Sequence, residues 1–149
     1  MTPKDWLLLG RTVRFGDTDA AGVMHFARLL VWCHEGYEES LERFGLAAAA
    51  VFPTPATTPE VALPIVHCSA DFRRPLVCGD RLAIRLEPHR IDPGSFAVTY
   101  TFSCGGEQVA QGLTRHLAIA AATRQRCPLP DTLNRWLEAS SLESGVQPL

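Results

Sequence analysis

A chain of 149 residues, with a net charge of −2 and one residue in five charged, fits a single domain with room for a real core. That balance supplies no basic field for nucleic acid or an anionic membrane, so neither is expected as a partner. Five cysteines, an odd number without C-x-x-C spacing, indicate neither a disulfide framework nor a zinc site; reduced thiols in a cytoplasmic protein are expected.

The apolar patch at residues 6–9 is far too short for a signal-peptide core or a membrane span. Residues 7–9 and 11–15 read as a first strand, with Val13 and Phe15 on one face. Residues 16–22 break it into a loop that carries two carboxylates, Asp17 and Asp19. Residues 26–44 contain no proline, and Phe26, Leu29, Leu30, Cys33, Tyr37, Leu41 and Phe44 form one helical stripe. Val31 and Trp32 make the first half of this helix apolar nearly all round, which is the pattern of a helix buried on several sides. The second half carries Glu35, Glu38, Glu39, Glu42 and Arg43, with Glu39 and Arg43 spaced for an i,i+4 pair worth ~0.3 kcal/mol. Gly45 stands where a C-terminal glycine belongs.

Residues 47–60, rich in Ala, Thr and Pro, read as a connector or flap. Four strand signals follow at 64–72, 81–87, 95–104 and 108–120. Leu82, Ile84 and Leu86 share a face of the second, and Phe96, Val98, Tyr100, Phe102 and Cys104 a face of the third. Val109, Leu113, Leu117 and Ile119 share a side of the fourth. Asp92-Pro93-Gly94 and Gly105-Gly106 are turn signals. A short helix is expected over 128–139, with Leu133, Trp136 and Leu137 as its apolar side, followed by a loose tail over 140–149. Tight turns imply an antiparallel meander, and a single long apolar helix implies a sheet curled around it: an α+β domain spanning 1–149, with its core over about 11–120. Ile65, Ala110 and Ala118 are expected on the far face of the sheet, where a second copy of the chain would cover them.

The chemistry-bearing stretch is the loop before the long helix. A carboxylate there sits beside unpaired backbone N–H groups and the positive end of the helix dipole, a pairing suited to acyl transfer. An Asp in that place also serves as a turn or helix cap. His25 suits either substrate orientation or a plain helix-start role, and Glu35 and Glu38 read as a solvated helix face. His67 and Cys68 are adjacent in a strand and point to opposite faces, so no metal site is expected. No Gly-rich phosphate loop or Ser-His-Asp arrangement is visible, and no cofactor is called for.

The element order, with Phe15-Gly16-Asp17-Thr18-Asp19-Ala20-Ala21-Gly22 ahead of the helix, resembles the hotdog-fold thioesterases of the 4-hydroxybenzoyl-CoA type over about residues 11–120. The resemblance implies an antiparallel sheet wrapped around one central helix. It also implies that Asp19, the second Asp of Asp-x-Asp-x-x-Gly, is the catalytic carboxylate and that Asp17 is loop architecture. Phe26 holds the place of the residue whose backbone N–H meets the thioester carbonyl. Residues 18–23 and 33–41 look most like the group that hydrolyses 1,4-dihydroxy-2-naphthoyl-CoA in phylloquinone and menaquinone biosynthesis. The basic cluster that binds CoA phosphates in the 4-hydroxybenzoyl enzymes is replaced here by Asp92-Pro93-Gly94, although the following Ser is present as Ser95. Arg73, Arg74, His89 and Arg90 then become the candidates for phosphate contact. A homo-oligomer, a tetramer built of dimers, is implied. The alternatives are a 4-hydroxybenzoyl-CoA or short-chain acyl-CoA thioesterase, and a hotdog protein that binds an acyl group without hydrolysing it.

Overall fold

The computed structural model describes residues 1–141; of the tail expected to be loose, 142–149 lie outside the described residues. In chain order the elements are α1 (Lys4–Leu7), β1 (Leu8–Thr12), a 3-10 turn (Phe15–Asp17), α2 (Phe26–Phe44), α3 (Ala48–Val51), β2 (Val61–Ala62), β3 (Ile65–Phe72), β4 (Arg81–Asp92), β5 (Ser95–Cys104), β6 (Glu107–Leu117), β7 (Ile119–Ala120) and α4 (Asp131–Ser140). Five strands form one antiparallel sheet in the order β1-β4-β5-β6-β3, while β2 and β7 make a separate small pair. The sheet wraps around α2, the hotdog arrangement that the resemblance implied.

The long helix has the bounds its spacing predicts, and it ends at Gly45 in the left-handed conformation, φ 110°. A side chain there would be strained, which is why glycine stops the helix. Glu39 sits 2.7 Å from Arg43, as the i,i+4 spacing requires, and 2.7 Å from Arg11 on β1. Burial opposes ionisation of Glu39, but the two guanidinium groups outweigh it and hold the carboxyl below its usual range. Close approach of α2 to the sheet depends on missing side chains: a Cβ on Gly112 of β6 would lie 2.5 Å from Cys33 Sγ. On the facing side, a Cβ on Gly36 would lie 3.4 Å from Leu9 Cδ1.

The two helices α1 and α4 seal the core. Trp6 of α1 packs on Phe44 with ring centroids 5.0 Å apart, and its indole donates to Ser140 Oγ at 2.9 Å. Trp136 of α4 is fully buried, donates to Ser40 Oγ at 3.1 Å, and meets Tyr37 and Phe96 edge-on. Leu133, Trp136 and Leu137 are the buried side of α4, as their spacing predicts.

Five expectations are corrected. The first strand ends at Thr12; Val13 is buried but Phe15 enters the 3-10 turn and is 84% exposed, so the two do not share a core face. The connector over 47–60 holds a one-turn helix, α3, whose Val51 is buried. The strand expected over 81–87 continues to Asp92, with Pro88 buried in line with Leu82, Ile84 and Leu86. The strand expected over 108–120 divides into β6 and β7; Val109 and Ile119 are buried as expected, but beyond a bulge the inner face of β6 is the opposite of the one expected. The bulge interrupts its pairing with β5 between Phe102 and Ser103, so that Phe102 faces Ala110 while Ser103 faces Gln108. Val109 and Ala110 are therefore both buried, and beyond the bulge the inward residues are Gly112, Thr114 and His116. Ala110 and Ala118 are fully buried rather than available to a second copy, whereas Ile65 is exposed as expected.

Candidate active site

The loop between β1 and α2 folds into a small hairpin. Asp19 N donates to Val23 O at 2.9 Å, and Gly22 N closes a four-residue turn on Asp19 O at 3.0 Å. Gly22 sits at φ 80°, the left-handed step such a turn needs and glycine adopts without strain. The hairpin is fastened to the β3–β4 connection by Met24 N donating to Leu76 O at 2.7 Å and by the bridge between Val23 and Val77. Asp19 is exposed at its base. Its Oδ1 accepts from Ala21 N at 2.8 Å, and its Oδ2 has no hydrogen bond among the described residues.

The helix N-terminus lies alongside. His25 is the N-cap: its Nδ1 accepts from Ala27 N at 3.2 Å and its carbonyl accepts from Arg28 N at 2.9 Å. An imidazole Nδ1 reaches as far as an Asn or Asp oxygen, so His does here what those residues usually do. The ring also stacks on Phe26, with centroids 4.6 Å apart and planes 26° from parallel. With those donors satisfied, the Phe26 N–H is left without an acceptor among the described residues.

Asp19 and Phe26 line one open cavity of about 460 Å³, together with Val23, Met24, Phe72, Arg73, Arg74, Pro75 and Leu76. Its wall is apolar, one carboxylate and one helix end sit in it, and two cations stand at its edge. Arg73 makes no ion pair among the described residues, whereas Arg74 is turned to Asp80 at 3.5 Å and donates to Pro75 O at 3.1 Å. A larger cavity of about 670 Å³, between α1, β4 and the end of α4, contains none of the expected site residues.

Asp17 does not line the cavity. Its Oδ2 accepts from Arg14 N at 2.9 Å, its Oδ1 lies 2.8 Å from Arg28 Nε, and its carbonyl accepts from His25 N at 2.9 Å. Glu38 pairs with His34 at 3.1 Å and Glu35 lies 4.0 Å from Arg11. At 1.5 Å per residue, Glu35 is roughly 13 Å along the helix from Phe26. His89, Arg90 and Ser95 are not brought to the cavity within one chain. They lie at the far end of β4 and its turn into β5, roughly 30 Å of strand from Arg81. Ser95 is 3% exposed, and its hydroxyl and the Gly94 N–H bond Asp92. Those bonds, Gly94 first, hold the Asp92 carboxyl below the usual range.

The cap at His25 is not announced by the sequence, where Ser, Thr, Asp or Asn is the usual signal. Nor is the place of Phe72 at the cavity edge, which follows from strand pairing.

A loop carboxylate, Asp19, and the first residue of α2, Phe26, line one apolar cavity, an arrangement chemically suited to a polarised acyl carbonyl. Residues 13–137 match the thioesterase-like superfamily, and the chain belongs to that family. It is 59% identical over 145 residues to the 1,4-dihydroxy-2-naphthoyl-CoA hydrolase of Prochlorococcus marinus (strain MIT 9303), covering 95% of this chain and 96% of the relative. It is 62% identical over 128 residues to the protein of the same name from Synechococcus sp. (strain RCC307), covering 86% and 98%. Its backbone is also similar to the crystal structure of a 1,4-dihydroxy-2-naphthoyl-CoA thioesterase from Synechocystis. The TM-score is 0.78 at 32% identity, with 88% of this chain and 94% of that one covered.

Proposed function

We propose that the protein hydrolyses 1,4-dihydroxy-2-naphthoyl-CoA to 1,4-dihydroxy-2-naphthoate and CoA, a step of phylloquinone biosynthesis. The observation that supports the reading is the shared cavity: Asp19, whose Oδ2 has no hydrogen bond among the described residues, and Phe26, the first residue of α2, line the same apolar space. The thioester carbonyl oxygen takes the Phe26 N–H, backed by the helix dipole; such a donor is typically worth ~3 kcal/mol in the transition state. Asp19 attacks the carbonyl carbon directly or takes a proton from the attacking water. The CoA thiol, with a pKa of about 8.5 by analogy with cysteine, leaves without strong acid help. The naphthoyl rings lie against Phe26, Phe72 and Val23, and Arg73, a cavity residue with no ion pair among the described residues, takes a CoA phosphate.

The enzyme is proposed to work as a homo-oligomer, a tetramer built of dimers, in the cytoplasm. Strand β3 pairs only with β6 among the described residues, and its other edge is open. Antiparallel pairing of β3 with β3 of a second copy sets the Phe72 end of one chain beside the Ile65 end of the other. That end of the sheet carries Ser95, whose strand partner Leu117 accompanies the Ile65 end through β6. His89, Arg90 and Ser95 then approach the cavity from the second copy. Sedimentation as a monomer at working concentration would remove this part of the proposal. Five unpaired cysteines support a reducing compartment, and no described helix is long and apolar enough to cross a membrane.

The test is a thioester panel of naphthoyl, benzoyl and aliphatic CoA esters, run on the parent and on Asp19→Asn. The naphthoyl ester should turn over best, and Asp19→Asn should bind it yet lose at least about a hundredfold in kcat. Faster turnover of aliphatic esters, or near-parental kcat in Asp19→Asn, would refute the substrate and the residue respectively.

A further inference from the structure

We propose that Asp17, acting through Arg28, is a positioning residue that sets the Asp19 carboxylate against the Phe26 N–H. The inference rests on the reading of Asp19 as the reacting carboxylate.

Every hydrogen bond made by Asp19 stays inside its own hairpin: to Val23 O, from Gly22 N and from Ala21 N. None reaches α2. The hairpin is tied to the β3–β4 connection on one side, but its distance from the helix must be fixed by something else. Asp17 supplies that link. One carboxylate oxygen holds the strand exit at Arg14 N, the other holds the helix at Arg28 Nε, and its carbonyl holds the N-cap at His25 N. The Asp17 side chain is only 12% exposed, so its ion pair is better shielded than a surface one.

Arg28 is itself out of place on helix electrostatics. It is the third residue of α2, in the first turn, where the dipole favours an anion and disfavours a cation. Its partner explains it: Asp17 neutralises the guanidinium and uses it as a handle on the helix. Unpaired, Arg28 would be an uncompensated cation in the first helix turn, beside His25 and near a cavity that already carries Arg73 and Arg74 along with Asp19. Unpaired, Asp17 would be a second anion two residues from Asp19. The pair therefore acts as a unit, and breaking either half displaces the same geometry.

A displacement of about 1 Å between reacting groups can cost on the order of a hundredfold in rate. Asp17→Asn retains an oxygen for the Arg14 N–H and loses the charge. With 1,4-dihydroxy-2-naphthoyl-CoA as substrate, Asp17→Asn and Arg28→Gln are each expected to lower kcat roughly 10- to 100-fold, with KM within about threefold. The double variant should be no slower than the worse single, since each change breaks the same link. Arg28→Lys, which keeps a cation within reach, should recover most of kcat. All are compared at matched folded fraction, fixed by thermal unfolding. Parental kcat in both singles, losses confined to KM, multiplying losses in the double, or Arg28→Lys as slow as Arg28→Gln would each overturn the positioning role. Asp19→Asn is run alongside: if it alone loses turnover, only the positioning role fails, whereas if it too keeps parental kcat, the reading of the site fails first.

Discussion

Gly112 is the point where the sheet admits the helix, and replacing it tests that packing directly. In Gly112→Ala the new Cβ would sit 2.5 Å from Cys33 Sγ, about 1 Å inside ordinary contact, while its distances of 3.7 Å to Tyr100 are comfortable. Overpacking of this kind costs about 1–3 kcal/mol, and loss of a strand glycine returns about 0.5–1 kcal/mol. The net expectation is a loss of roughly 1–2 kcal/mol, or a fall in Tm of about 3–6 °C for a domain of this size. Because a single sulfur atom is responsible, the cost should vanish when it is removed. In a Cys33→Ala background, Gly112→Ala should be neutral or stabilising, a coupling of at least about 1 kcal/mol by urea unfolding. The buried Cys33 thiol is inert in this comparison: burial first, then the nearby Cys68, pushes its pKa up to about 12. Additive effects in the four-membered cycle would refute the argument that Cys33 and Gly112 set the approach of α2.

Two further outcomes follow from buried or strained positions. His116 is fully buried between Phe96 and Tyr37, its Nε2 2.8 Å from Thr114 Oγ1, and burial first and then His34 push its pKa from 6.5 to about 3. Unfolding lets the ring take its proton, so its contribution is whole above pH 6.5 and is lost as pH falls toward 3. Two units into that window the loss is roughly 2–3 kcal/mol, so urea unfolding at about pH 7.5 and 4.5 should show a larger acid penalty in the parent than in His116→Gln. Equal penalties would exclude His116 as their source. Gly22→Ala meets no atom within 4 Å, so its cost is backbone strain alone at φ 80°. It should lose about 1–2 kcal/mol in thermal unfolding, Gly22→Asn distinctly less, and an Ala variant as stable as the parent would mean the turn is not held in that conformation.

The helix, β5 and α4 were legible because each buries a face set by its own spacing. Phe96, Val98, Tyr100 and Phe102 alternate without interruption, and Gly45 stops α2 where a left-handed residue is needed. The face of β6 was not legible for a specific reason. The bulge advances the alternation by one residue, so the apolar Leu113 and Leu117 turn outward while Gly112, Thr114 and His116 turn in. Those inward residues suit their partners rather than a hydropathy pattern: Gly112 makes room for Cys33, and Thr114 and His116 form a buried chain with the Tyr100 hydroxyl. Phe15 misled in the opposite sense, since an aromatic next to a strand reads as core, and the 3-10 turn carries it outward. In the site, Asp19 and Phe26 were marked by motif resemblance. The cap at His25 and the Asp17–Arg28 tie are contacts between segments, which spacing alone does not announce.

These packing details bear on the chemistry because α2 delivers the only backbone donor the proposed reaction uses. A helix end placed by its loop alone would fray, and its N–H groups would turn to water. Here the axis is set from elsewhere: Gly36 against Leu9, Cys33 against Gly112, and Ser40 bonded to Trp136. With the body of the helix fixed by the core, the loop has only to close the first turn, which His25 does for Ala27 and Arg28. The Phe26 N–H has no acceptor among the described residues, and Phe26, which lines the apolar cavity, is 71% exposed. The Phe26 ring stacks on His25 alone among the described aromatic rings, which leaves most of its surface open. In the proposed reaction an aromatic ring with a carbonyl attached would cover that surface and accept from the N–H, and that is the chemical outline of the proposed substrate.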